Sequence, residues 1–126
     1  MYHDEFFPFY TAYTDPAFYD RERQQEREYE LMNLWYPQTV RRFLEYIREE
    51  CDLLDYEGSR IYDEYTDREM LERDYGRAQS RIKEKTKEPD LADDLIRVLF
   101  WQEISRRRCR RRRFWENTKG RKNYIE

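Results

Sequence analysis

The sequence predicts an all-α fold: a small bundle of three to four helices, an irregular aromatic N-terminal arm and an Arg-rich C-terminal extension. Apolar residues recur at helical spacing in every informative window, and no stretch alternates with the period of a strand. The core is thin and rich in rings, with 38% hydrophobic and 42% charged residues, 12 Tyr, 7 Phe and 3 Trp. Each aromatic side chain buries a large area, which makes up for the shortage of aliphatics. At 126 residues the chain is expected to hold one domain. The arm is placed at 1–15, the bundle at 16–105 and the basic extension at 106–126.

In residues 1–19, eight are Phe or Tyr, no period is visible, and Pro8 and Pro16 interrupt the run. This is read as an irregular arm whose rings dock on the body or on another molecule. The first helix is expected over 17–36, with Asp15 as its cap and Pro16 in its first turn, where proline loses no needed N–H. Its stretch Asp20–Glu28 is wholly polar, whereas Tyr29, Leu31, Met32, Leu34, Trp35 and Tyr36 are apolar. The second half is therefore expected to pack.

Pro37 opens the next helix, to about Asp55. Val40, Phe43, Leu44, Ile47, Cys51 and Leu54 form one stripe there. Gly58 suits a left-handed turn after it. Residues 56–65 read as a packed loop or a single helical turn. Thr66 and Glu69 have the spacing of a capping box, and the helix behind it, to about Lys87, carries the stripe Leu71, Tyr75, Ala78 and Ile82. Pro89 and Asp90 break that helix and cap the last one. Leu91, Leu95, Ile96, Val98, Leu99, Phe100, Trp101 and Ile104 make the last helix apolar on most sides, as a central helix is. Asp93 and Asp94 suit its first turn.

The net charge of −3 hides a separation. Residues 45–72 hold eleven acids and three bases, whereas 106–122 hold ten bases and one acid. Arg106, Arg107, Arg108, Arg110, Arg111, Arg112 and Arg113 surround Cys109, and Phe114 and Trp115 follow. Each residue turns a helix by about 100°, so these arginines point all round it. They must project beyond the core or be covered by something negative. The candidate coverings are nucleic acid, with Phe114 and Trp115 stacking on unpaired bases, the protein's own acidic stretch or a neighbour's, and an anionic membrane surface. The plain alternative is a solvated basic tail. The overall pI of 5.4 speaks against a dedicated nucleic-acid binder.

Several chemistries lack their residues. The one histidine, His3, and two cysteines, Cys51 and Cys109, make no His/Cys metal site, and a triad would have to use His3. Three scattered glycines form no phosphate loop. Glu45, Glu49 and Asp52 share a helix face and read as solvated acids. No catalytic residue, cofactor, metal or small-molecule substrate is expected, and the chain is read as a non-enzyme. With no run of 18 apolar residues and no secretory leader visible, a cytoplasmic protein is expected. Cys51, on the core stripe, is read as buried. Cys109, among arginines, is read as a reactive thiol. The tyrosines are read chiefly as packing, with a sticky, cross-linkable surface as the alternative.

The stretches YPQTVRRFLEYIREECDLLDYEGSRIYDEYTDREML (36–71) and LADDLIRVLFWQEISRRRCRRRR (91–113), with the aromatic arm, carry a resemblance over about half the chain. The sequence resembles a family of small, uncharacterised Tyr- and Arg-rich helical proteins of anaerobic spore-forming Firmicutes. It departs from that pattern at Thr66, where a proline is common, and at Arg60, where a second hydrophobic residue stands. The resemblance implies no activity and no catalytic residues, only a setting in which a spore-coat or other sporulation role fits. The expected function is that of a structural or interaction protein. It is expected to associate with a protein partner or with itself through the acidic loop, the arginine segment and the aromatic residues. The alternative is a nucleic-acid accessory protein using the arginines.

Overall fold

A computed structural model of the chain describes residues 9–11, 14–86 and 93–125. The described residues hold four helices and no strand: α1 (Pro16–Asn33), α2 (Gln38–Leu54), α3 (Arg68–Lys85) and α4 (Asp93–Ile125). Short 3-10 turns stand at Phe9–Thr11 and Arg60–Tyr62.

Each helix begins where local chemistry provides a start. The Asp15 carboxylate accepts from the Ala17 N–H, and Pro16 takes the first position. Pro37 precedes α2, because it cannot continue α1 and pushes the residue before it out of the helical region. The cap of α3 is Asp67, which accepts from the Met70 N–H at 3.3 Å. The expected cap, Thr66, stands one residue outside. A carboxylate caps as well as a hydroxyl and also favours the positive end of the helix. Gly58 has φ +83°, the left-handed conformation its turn needs. Asp93 and Asp94 occupy the first turn of α4. The expected break at Pro89-Asp90 lies outside the described residues.

The core forms between α2, α3 and α4. Phe43, Ile47, Cys51, Ile61, Leu71, Tyr75, Ala78, Ile82, Ile96, Leu99, Phe100 and Ile104 are its buried members. Each fully buried large side chain contributes about 1.5–3 kcal/mol. The stripes expected on α2 and α3 supply seven of them. Tyr75 meets Phe100 edge-on at 5.3 Å and stacks near Trp101 at 6.1 Å. The expected loop at 56–65 is a packed one: Ile61 is fully buried at its 3-10 turn. Arg60 lies beside the buried Asp74 carboxylate at 3.8 Å.

Two expectations are corrected here. The boundary at 105/106 falls inside α4, which runs on unbroken to Ile125. And α1 packs through its polar half: its buried residues are Glu22, Glu26 and Asn33. Of the apolar second half, Tyr29 is half-buried beneath Arg48 and Arg106, whereas Leu31, Met32, Leu34, Trp35 and Tyr36 are exposed.

Candidate functional site

The arginine run follows a seam that began as apolar core. Ile96, Phe100, Glu103, Arg107, Arg110 and Phe114 are all buried on α4, spaced four and three residues apart in turn. That is one continuous helical stripe. Charge replaces apolar side chains at its third, fourth and fifth positions, and each such charge is paired.

Arg107 reaches α2, donating to the carboxylates of Asp52 (2.8 Å) and Asp55 (3.0 Å) and to the Arg48 carbonyl (3.4 Å). Asp55 also accepts from the Tyr62 hydroxyl. Arg106, Arg110 and Arg113 lie on the face toward α1. Arg113 makes a two-point contact with Glu22 at 2.8 and 3.0 Å. Glu26 accepts from both Arg110 (2.9 Å) and Arg106 (2.6 Å). Arg106 also forks onto Glu103 at 2.6 Å and covers the Tyr29 ring at 4.5 Å. The pairs run in opposite order along the two helices, so α1 and α4 are antiparallel. Arg108 donates to the carbonyls of Ile61 (2.6 Å) and Asp63 (2.7 Å). Arg111 lies over the Tyr62 ring at 4.9 Å. Arg112 is exposed.

The electrostatics follow from this closure. Burial pushes the Glu103 carboxyl up, but Arg106 and Arg107 more than offset it and hold it below the usual carboxylate value. Burial likewise disfavours the charged forms of Arg106 and Arg107, and their carboxylate neighbours still raise both. Burial pushes the Cys51 thiol up to about 12, so it stays protonated at neutral pH. Cys109 is exposed, and neither cysteine is bridged.

The acids that cover the arginines thus belong to this chain. Asp52 and Asp55 come from the expected acidic stretch. Glu22 and Glu26 were not foreseen as partners, although their i, i+4 spacing matches Arg106, Arg110 and Arg113 at i, i+4 and i+7. Phe114, expected to stack on bases, is only 1% exposed. It packs against Phe18 at 5.0 Å and Tyr10 at 5.5 Å, so part of the aromatic arm docks on the body. The Tyr10 hydroxyl accepts from Arg110 at 3.1 Å. Trp115 is exposed.

The surface that composition alone did not reveal is the corner between α1 and α2. Leu31 (61% exposed), Leu34 (60%) and Trp35 (78%) lie there with the exposed Met32 and Tyr36. The corner is held by consecutive tight bonds: Leu34 N–H to the Leu31 carbonyl, Trp35 to Met32, and Tyr36 to Asn33, at 3.0–3.2 Å. Beneath it, Asn33 is buried with its side-chain amide unpaired among the described residues.

Among the described residues no group of three His, Cys, Asp or Glu side chains is placed to hold a metal ion. No described helix is long and apolar enough to cross a membrane. A shallow groove lined by Asp20, Arg23, Gln24 and Arg27 lies along α1 alone and is the surface of that helix. No family model, curated protein or solved structure matches the chain.

Proposed function

We propose that this chain is a non-enzymatic structural or interaction protein that binds protein through the α1–α2 corner. One observation carries the reading: five large apolar side chains within six residues stand exposed on an ordered turn. Their area, on the order of 600 Å², is at the top of the range for the largest patch on a monomer, and such patches mark interaction sites. Trp and Tyr are the residue types that anchor protein interfaces. The acidic loop and the arginine segment serve this function indirectly, since their charges are largely taken up in holding the bundle together. The resemblance to proteins of spore-forming Firmicutes suggests a coat or another sporulation structure as the setting.

The test is photo-crosslinking in cells expressing the full chain, with the reactive amino acid at position 35 or at position 112. Protein adducts are expected from position 35. Their absence overturns the reading.

The second reading, an accessory nucleic-acid binder, draws on the exposure of Arg112 and Trp115 three residues apart on α4. To use Arg106, Arg110 and Arg113 as well, a phosphate backbone has to displace Glu22 and Glu26. Nucleic-acid adducts from position 112, with none to protein from position 35, select this alternative.

A further inference from the structure

α1 covers a row of guanidinium groups. Arg106, Arg110 and Arg113 lie at i, i+4 and i+7, so they share one side of α4 over two turns, about 10 Å from end to end. Their partners on α1 are Glu22 and Glu26. The acid that α4 itself places on this side is Glu103, held by Arg106. With α1 lifted, three bases stand there against one acid. The Tyr10 hydroxyl accepts from Arg110 from outside α1 and helps to orient it.

The contacts that hold α1 are of a kind that an incoming anion can replace. The side chains α1 buries are Glu22, Glu26 and Asn33. Both amide atoms of Asn33 are unpaired among the described residues, which opposes docking. The two carboxylates lose hydration on burial, and their ion pairs offset that loss without a large surplus. Lifting α1 returns water to both, and phosphates arriving on the same arginines restore the pairs. The two-point contact of Arg113 with Glu22 is the geometry in which a guanidinium also binds phosphate. Glu26 bridges Arg106 and Arg110 as one phosphate oxyanion can.

Lifting α1 also takes the Phe18 ring off Phe114, which follows Arg113 on α4. A cationic row beside an aromatic ring suits a single strand, with its backbone on the charges and a base on the ring. A duplex keeps its bases paired and offers that ring nothing to stack on.

We propose that α1 is an autoinhibitory strap over a single-stranded nucleic-acid site on α4. Glu22 and Glu26 hold the strap shut, and a strand of RNA or DNA takes their place on Arg106, Arg110 and Arg113. The site shares no residue with the α1–α2 corner, and it stands or falls separately from the interaction role.

Fluorescence anisotropy of a labelled oligothymidylate against the full chain, at one fixed salt concentration, tests it. Glu22→Gln with Glu26→Gln is expected to tighten binding by about tenfold or more, because a covered site binds in proportion to its open fraction. Asp20→Asn with Glu28→Gln makes the same change in net charge at exposed positions of α1 and is expected to do far less. Adding Arg113→Gln to the first pair is expected to reverse the gain. Hydrogen exchange of the wild-type chain needs no variant to fold. A saturating strand is expected to remove amide protection across 16–33 and to leave it across 40–54 and 70–82, since a polar helix of this length is marginal alone. Four results overturn the proposal: no tightening in a folded Glu22→Gln, Glu26→Gln chain, equal tightening by the control pair, a bound strand with α1 still protected, or no binding by either the wild type or the chain lacking both acids.

Discussion

Glu103 shows how this bundle tolerates buried charge. It is nearly inaccessible and lies 2.6 Å from Arg106 and 3.8 Å from Arg107, on the stripe that elsewhere carries Ile96 and Phe100. Removing one partner of a buried pair leaves the other charge uncompensated, at about 3–5 kcal/mol. Glu103→Ala is therefore expected to destabilise the protein by that amount, read as a lower urea midpoint. Acid should act on the same group. Its folded pKa lies below the ordinary 4.5, so the unfolded chain takes up the proton first as pH falls. The stability that Glu103 contributes is complete above about pH 4.5 and is lost as pH falls through its folded pKa. Urea midpoints measured from pH 7 to pH 3 check the sign.

The first helix is held differently from the others. α2, α3 and α4 share an apolar core, whereas α1 buries Glu22 and Glu26 against three guanidinium groups of α4 and pairs Glu30 with Arg48 of α2, with Phe18 against Phe114 and Tyr29 beneath Arg48 and Arg106 as the ring contacts. Its attachment depends on charge-assisted hydrogen bonds, which are strong where water is excluded and weaker once screened. Replacing Glu22 and Glu26 together by Ala should release α1 while the other three helices stay folded. Hydrogen exchange is expected to show protection lost across 16–33 and kept across 40–54 and 70–82. Simultaneous loss in all four helices tells against this division. The spacing of these acids was present in the chain. What hid it was the assumption that a helix docks by its apolar half. The polar run Asp20–Glu28 looked like a solvated face because its partners lie some 80 to 90 residues away, beyond any local pattern.

The protein depends on its basic segment as part of its body. Arg107, Arg110 and Phe114 are buried, and the ring of Tyr10 and the acids of α1 and α2 close over them. Truncation after Ser105 removes the partners of Glu22, Glu26, Asp52 and Asp55 and opens the aromatic cluster. Such a chain is expected to lose cooperative thermal unfolding, followed by circular dichroism at 222 nm. A truncated chain that melts as sharply as the full one contradicts this account. Any assay of nucleic-acid binding that relies on that truncation therefore tests folding as well, and Arg112→Ala is the cleaner probe.

The helices and most of the three-helix core were legible in local pattern, because period and capping act over a few residues. Asp15 with Pro16, the stripe Phe43–Ile47–Cys51, the stripe Leu71–Tyr75–Ala78–Ile82 and the glycine turn at 58 all belong to that range. The cap at Asp67 was missed by one residue, since Thr66 and Asp67 are both competent and backbone geometry chooses between them. Local pattern did not reveal which acids would meet which arginines, or which half of α1 would face water. Ion pairs form between residues far apart in the chain, and the sign of a charge names a class of partner but no individual. The antiparallel docking of α1 on α4 brought Glu22 and Glu26 to Arg113, Arg110 and Arg106. With that face of α1 committed, Leu31, Leu34 and Trp35 were left at the surface.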